Sequence, residues 1–353
     1  MLKRLLGFRE FALVVVLGLE ILFFALVQVH YDVEAGRLAS WREALSWEYV
    51  LANPFLNPTT LLGYFTGAVI LAVACIGSCI VIIGGGIDLS VGSVIAFSSV
   101  ATASVLQFGL VTQEWGEWAV VPLAIGTGLA AGGLCGAVSG LLVARVRLQP
   151  FVATLAVMTV ARGVALVKTE GRTVIIPRES FFVTWLGQGK IHLGFVSVPI
   201  LILVLIVAAV VFTFFVTKMK WGRQVFAVGG NEEAARFCGV RVGRIKMLMY
   251  VLAGLLAGMG GVLYAAFHGM GQSSAAPGWE LDAIAAAVVG GASLSGGRGS
   301  VVGATLGAIF FRILDTALNG IGYGNWSRIV VGVVLVLVVL FDQIVASRRP
   351  QTA

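Results

Sequence analysis

Charge is scarce in this sequence. Only 12% of its 353 residues are Asp, Glu, Lys or Arg, about half the share of an ordinary soluble domain. That deficit excludes a chain covered by water on all sides. With a mean hydropathy of +0.99 and 46 glycines, it points to one polytopic membrane domain over residues 1–353 rather than two soluble ones. Histidine is nearly missing: His30, His192 and His268 fall far apart and form no metal pair. The four cysteines (Cys75, Cys79, Cys135, Cys238) have neither metal spacing nor a disulfide framework. Cys75 and Cys79, four apart in an apolar run, read as small packed hydrophobes. No phosphate loop with its lysine is present, and "GGGIDLS" is neither Gly-x-Gly-x-x-Gly nor followed by a soluble βαβ unit. These absences exclude a catalytic constellation, a metal site and ATP hydrolysis by this chain through the usual loop. Uphill work then has to come from a partner or an ion gradient. The formal net charge of +7 does not indicate nucleic-acid binding, because the basic residues lie in short loops between apolar runs.

The apolar runs are long. A bilayer core takes about 20 apolar residues per helix, and ten stretches qualify, at 11–29, 59–83, 88–108, 119–143, 151–168, 197–217, 247–267, 281–295, 300–318 and 327–346. The eighth is short and glycine-rich and reads as a broken or half helix. The first follows basic residues as a signal peptide would. It is too long for a signal core and has no small-residue cleavage site after it, so it reads as a retained span. With the N-terminus in the cytoplasm and each span reversing the side, 15 of the 24 basic residues fall inside and six outside. That bias supports ten spans with both ends inside. Trp115, Trp118 and Trp279 then fall at the outer interface. The expected fold class is an all-α polytopic membrane protein with broken or half helices near residues 84–93 and 281–299.

Two polar segments interrupt this pattern. Residues 30–58 are expected outside, where "LASWREALSWEYVL" has the periodicity of a helix lying on the membrane surface. Residues 218–246 form the longest and most basic cytoplasmic loop. Within it, Asn231 is an N-cap type, Glu232 and Glu233 are acids for a first helical turn, and Ala234, Ala235 and Arg236 continue a good helix. Such a short rigid helix suits docking to a soluble partner.

The stretch "IIGGGIDLSVGSVIAF", Ile82 to Phe97, places four glycines, Asp88, Ser90 and Ser93 between apolar runs. The glycines weaken helix by about 1 kcal/mol each, and Asp88 and Ser90 suit a helix restart, with Asp88 capping the third span. Ionisable groups at membrane depth usually face a water-filled cavity or a partner. Asp88, Ser90 and Ser93 there offer hydrogen bonds to a polar, uncharged solute. A second stretch, "GGASLSGGRGSVVGA", echoes the first and suggests an internal repeat. Glu280 and Asp282, just before it, are placed at the outer mouth. Its small residues let helices approach closely. Arg312 and Asp315 are three apart and pair with each other.

Four motifs come in order: "GGGIDLSVGSV", "LQPFVATLAVMTVARG", "GRQVFAVGGNEEAARFCGVRV" and "GWELDAIAAAVVGGASLSGGRGSVVGATLGA". Together, over about Asn53 to Asp342, they closely resemble the permease subunits of ribose-type (ribose/xylose/arabinose-like) sugar ABC importers. The resemblance implies a ten-helix, multi-pass permease of the bacterial inner membrane. It implies a second permease copy or paralogue beside it in the lipid. A cytoplasmic ABC ATPase, usually with two fused nucleotide-binding domains, carries the ATP and Mg, and a periplasmic or lipid-anchored sugar-binding protein delivers the solute. The family's coupling segment carries over onto Gly230 to Gly239, and its Asp-Leu-Ser stretch near the translocation path onto Asp88 to Ser90. Residues 31–52 depart from the family by their length. Two other readings stay open. One is a branched-chain amino acid ABC permease, whose related fold carries another motif in place of "GIDLSVGS". The other is an ion-driven secondary transporter, for which Glu20, Asp88 and Asp315 are the acids at membrane depth.

Overall fold

The computed structural model describes residues 8–38, 40–113, 115–194 and 196–347. Helix follows helix along nearly all of it. The first is α1 (Phe8–Glu34), followed by the short α2 (Trp47–Ala52). Then come α3 (Pro58–Ile83), α4 (Val91–Gln107), α5 (Glu117–Leu141), α6 (Pro150–Thr169) and α7 (Ile200–Lys218). Two helices, α8 (Lys220–Gly230) and α9 (Glu232–Phe237), precede the long α10 (Val242–His268). The chain continues through α11 (Trp279–Val289), α12 (Val301–Gly320) and α13 (Ser327–Ser347). Among the described residues eight helices, α1, α3 to α7, α10 and α12, are long and apolar enough to cross a bilayer. All ten expected segments fall on helices. The eighth is α11, whose 11 residues reach only about 16 Å, a half helix as its length suggested.

The centre of the bundle is α3. It is apolar on every side, and from Ala68 to Ile83 every residue is buried. A helix without a polar face belongs inside, and α10, α12, α11 and α7 enclose it. Its cysteines pack as expected, with the Cys75 thiol against the carbonyls of Ala283 and Ala304. Helices α5 and α10 cross at backbone distance. A Cβ at Gly254 would lie 2.6 Å from the Gly136 Cα, and one at Gly132 2.5 Å from the Gly258 Cα. Without a hydrophobic drive between helices in lipid, such small-residue contacts are what hold them together.

Helices α3 and α11 end in the same way. Gly84, Gly85 and Gly86 donate to the carbonyls of Ile80, Ile82 and Val81; Gly290, Gly291 and Ala292 donate to those of Ala286, Val288 and Ala287. Gly85 and Gly291 are left-handed, with φ of 77° and 99°, a conformation costly for any side chain. The echo between the two stretches thus has a structural counterpart at these helix ends. The restarts differ, at Ser90 for α4 and Ser300 for α12.

Between α6 and α7 lie β1 (Val174–Ile175), paired antiparallel with β4 (Met270–Gly271) after α10, and the hairpin of β2 (Lys190–Leu193) and β3 (Val196–Pro199). The expected surface helix over residues 38–51 is not continuous. A single turn at Glu43–Leu45 precedes an extended Ser46, whose hydroxyl accepts from the Tyr49 N–H and starts α2. A serine that caps the next helix ends the previous one, although the apolar periodicity runs through it. Tyr49 then donates to Asp32 at 2.7 Å, Arg37 pairs with Asp32 at 2.9 Å, and the Asn53 amide reaches the Ala25 carbonyl. Burial, and then the bond to Asp32, push the Tyr49 hydroxyl up to about 12.

Candidate functional site

Between Ile83 and Val91 the chain leaves helix and α4 begins below the break. Asp88 was expected to cap it; the N-cap is Ser90. Asp88 stands two residues earlier, and its Oδ1 accepts both the Ser90 N–H at 2.8 Å and the Ser90 hydroxyl at 2.6 Å. The Leu89 N–H donates to the Thr154 hydroxyl on α6. One turn further on, the Ser93 hydroxyl accepts from Arg162 Nε at 3.0 Å. Asp88, Ser90 and Ser93 are all buried.

Beside α4 runs the stretch after β4. Gln272 donates to the Ser99 hydroxyl, and a Cβ at Gly92 would meet the Ala276 carbonyl and Glu280 Oε2, each at 2.5 Å. From Ser99 to Gly92 is seven residues of α4, about 10 Å along its axis. The segment 271–280 therefore dips back into the bundle beside α4. Arg162 fastens it, donating to the carbonyls of Ser273 (3.2 Å) and Ala275 (3.3 Å). Glu280 lies against Gly92 at the end of this re-entrant stretch, and Asp282 follows on α11. Backbone leaves helix at membrane depth only where other groups satisfy it, and here the guanidinium does. Glu280 Oε2 is buried without a hydrogen-bond partner among the described residues. Asp282 feels the charge of Glu280 as well as those of Arg312 and Asp315. That pair forms as expected at 3.0 Å, with the Arg312 guanidinium 4.9 Å over the Trp279 ring.

Asp88 and Ser90 bond to each other at the break before α4, while Ser93 and, across Gly92, Glu280 border the re-entrant segment fastened by a residue the sequence reasoning did not weigh, Arg162. Its signal was available: a lone arginine in the apolar run of α6.

A second constellation lies on α9, just after the end of α8. The Asn231 side chain accepts the Ala234 N–H at 2.9 Å and starts α9. Glu232 holds Arg236 at 3.1 Å and Lys246 at 2.6 Å, fixing α9 to the start of α10. Ala235 is buried against the bundle, while Glu233 and Ala234 face out. Phe237, which the sequence reasoning did not weigh, is 92% exposed at the helix end.

Just before α9, three loops meet backbone to backbone. The Gly297 N–H donates to the Ile83 carbonyl at 2.7 Å. A Cβ at Gly229 would fall onto that carbonyl and 2.7 Å from the Gly297 nitrogen, and one at Gly296 would lie 2.5 Å from the Gly229 carbonyl and 3.0 Å from the Gly85 Cα. The end of α8 thus touches both helix breaks at once. Among the described residues no group of three or more His, Cys, Asp or Glu is placed to hold a metal.

Residues 60–339 match the family described as branched-chain amino acid transport system / permease component. A ribose import permease protein of Bacillus subtilis (strain 168) is 36% identical over 295 residues, covering 83% of this chain and 88% of that protein. One from Escherichia coli (strain K12) is 38% identical over 274 residues, 77% of this chain and 81% of that one. An L-arabinose ABC transporter permease protein of Azospirillum brasilense is 36% identical over 296 residues, 84% and 83% of the two chains. No solved structure matches.

Proposed function

The chain belongs to the branched-chain amino acid transport system / permease component family, and from that premise we propose that it is the membrane-spanning permease of an ATP-driven importer of a small sugar. The observation that carries the sugar reading is its 36–38% identity, over most of both chains, to permeases named for ribose and arabinose. The hydroxyl and carboxylate groups of Asp88, Ser90, Ser93 and Glu280 are of the kind that hydrogen-bond a polyol. The family description itself favours a second reading, a branched-chain amino acid as solute. An apolar side chain gains nothing from that polar cluster.

In this reading the chain is not an enzyme and sits in a bacterial inner membrane beside a second permease copy or paralogue. A sugar-binding protein delivers the solute from outside. An ABC ATPase with its ATP and Mg docks on the cytoplasmic helix, residues Asn231, Glu232, Glu233, Ala234, Ala235 and Arg236. Phe237 supplies the apolar knob, since exposed aromatics are the usual anchors of interfaces. Closure of the ATPase displaces α9. The junction of Gly229 with Ile83 and Gly297 passes that displacement to both helix breaks. The re-entrant segment then shifts against Arg162 and opens the polar cluster, a rigid-body switch between two packings.

The test is labelled-ribose uptake into liposomes holding the chain, its ATPase and its binding protein. Uptake that requires ATP hydrolysis supports the reading; uptake that continues without it, on an ion gradient, sinks it in favour of a secondary transporter. Glu232→Lys with Glu233→Lys should leave a folded protein whose solute no longer stimulates ATP hydrolysis. Because Glu232 also ties α9 to Lys246, Phe237→Ala is the cleaner probe of docking. Normal coupling in both variants would remove the docking assignment.

A further inference from the structure

A cleft of about 1220 Å³ opens between the ends of α5 and α6 and the start of α10, with Trp221 of α8 at its edge. Six cations line it, Arg145, Arg147, Arg236, Arg241, Arg244 and Lys246, against one acid, Glu232. Glu232 is engaged with Arg236 and Lys246. Arg145, Arg147, Arg241 and Arg244 form no ion pair among the described residues. All four are exposed. Arg147 is also held in the left-handed region, at φ 62°. That backbone is unfavourable for a residue with a Cβ.

The cleft has an apolar roof. On α5, Leu134, Val138 and Leu141 are exposed at spacings of four and three, one face of the helix, and Arg145 continues that face into the cleft. On α10, partly buried Leu248 and Val251 line the same cleft, and Leu255, one turn above, packs against Gly133 of α5. Two apolar stripes on spanning helices therefore run down into a pocket of uncompensated guanidinium groups. A tryptophan stands at the boundary, where its amphipathic ring is favoured.

From this continuity we infer that the cleft is a seat for one anionic phospholipid. Its phosphate lies among Arg145, Arg147, Arg241 and Arg244, and its acyl chain follows the α5 stripe. The charge surplus selects an anionic headgroup over a zwitterionic one, and guanidinium forks suit phosphate oxygens. A soluble protein partner would leave the stripes without a counterpart. The inference needs only that these helices cross a membrane. It stands or falls apart from the identity of the solute.

The test is native mass spectrometry of the purified full-length chain in detergent micelles, offered phosphatidylglycerol or phosphatidylcholine with matched acyl chains. The wild-type protein should retain one phosphatidylglycerol in preference to phosphatidylcholine. Arg147→Gly removes one guanidinium and relieves the left-handed backbone, so it should fold and retain about fivefold less, and Arg145→Gln/Arg244→Gln about 25-fold less, at about fivefold per charge. Arg172→Gln/Arg178→Gln, on the other side of the bundle, should retain as much as wild type. Equal retention of both lipids, unchanged retention in Arg147→Gly, or an equal loss in the Arg172/Arg178 variant would each overturn the assignment. So would cleft variants that keep the lipid but lose the ATPase subunit in a pull-down, which would make the cleft a protein-docking face.

Discussion

Adding one methyl group at Gly229 should uncouple this protein, while the same change at Gly230 should be silent. A Gly229→Ala Cβ would overlap the Ile83 carbonyl and sit 2.7 Å from the Gly297 nitrogen; at Gly230 the nearest atom, the Gly297 Cα, is 4.0 Å away. Tolerated carbon contacts begin near 3.5 Å, so only the first substitution forces a separation. Both obstructing atoms are backbone and no rotamer change relieves them. Overpacking costs about 1–3 kcal/mol, and alanine returns about 1 kcal/mol of helix propensity. The Gly229 variant should therefore lose up to about 2 kcal/mol, and Gly230→Ala should lose nothing or gain slightly. Loss of contact with the two breaks matters more than that sum. The Gly229 variant, assembled with its ATPase, should hydrolyse ATP at a rate that solute no longer changes. Solute-stimulated ATPase activity and thermal melting, measured on both variants together, check this. Equal behaviour of the two alanines, or wild-type coupling at Gly229→Ala, would refute the transmission route.

Three further outcomes follow from geometry. Arg162→Leu strips the donors from the Ser273 and Ala275 carbonyls and from Ser93; at about 1–3 kcal/mol per stranded buried group it should lower the melting temperature, and Arg162→Lys, which lacks the fork, should recover only part. Tyr49→Phe should cost about 1 kcal/mol. Because the folded hydroxyl is pushed up to about 12 from an ordinary value near 10, its contribution is complete below pH 10 and is lost as pH rises through about 12, which a melting series in alkali would read in wild type but not in Tyr49→Phe. Both carboxylate oxygens of Glu20 are buried without a partner among the described residues. Glu20→Leu should thus raise stability by about 1–3 kcal/mol, and a fall in melting temperature would mean that another group, such as one from a second copy, meets that carboxylate.

The spans were legible because length in an apolar run is set by bilayer thickness, and the half helix because its run is short. The cap at Asn231 and the Arg312–Asp315 pair were legible because both are local, within four residues. What escaped the sequence is non-local. Arg162 finds its carbonyls 111 and 113 residues away, and nothing in α6 announces them. The segment "QSSAAPGWE" is polar and so reads as an outer loop. Its depth is fixed by Arg162 and by the missing side chain at Gly92. Ser90 took the cap from Asp88 because the carboxylate bonds forward to the serine, a choice between neighbours that composition does not make. The exposure of Phe237 is a property of the packed bundle and is not visible in its sequence neighbours.

The enclosure of α3 has a consequence for how the protein is made. It is the second long helix off the ribosome, yet α10 and α12, which surround it, begin at residues 242 and 301. At about 5–20 residues per second, α3 waits on the order of ten seconds or more in bare lipid before its neighbours exist. A helix apolar on every side tolerates that wait, because hydrocarbon and protein interior are nearly the same solvent to it. Its burial is thus an act of late assembly rather than of insertion. A nascent chain stopped before residue 242 would carry a correctly inserted α3 without α10, α11 and α12 around it, the form that membrane quality control would meet first.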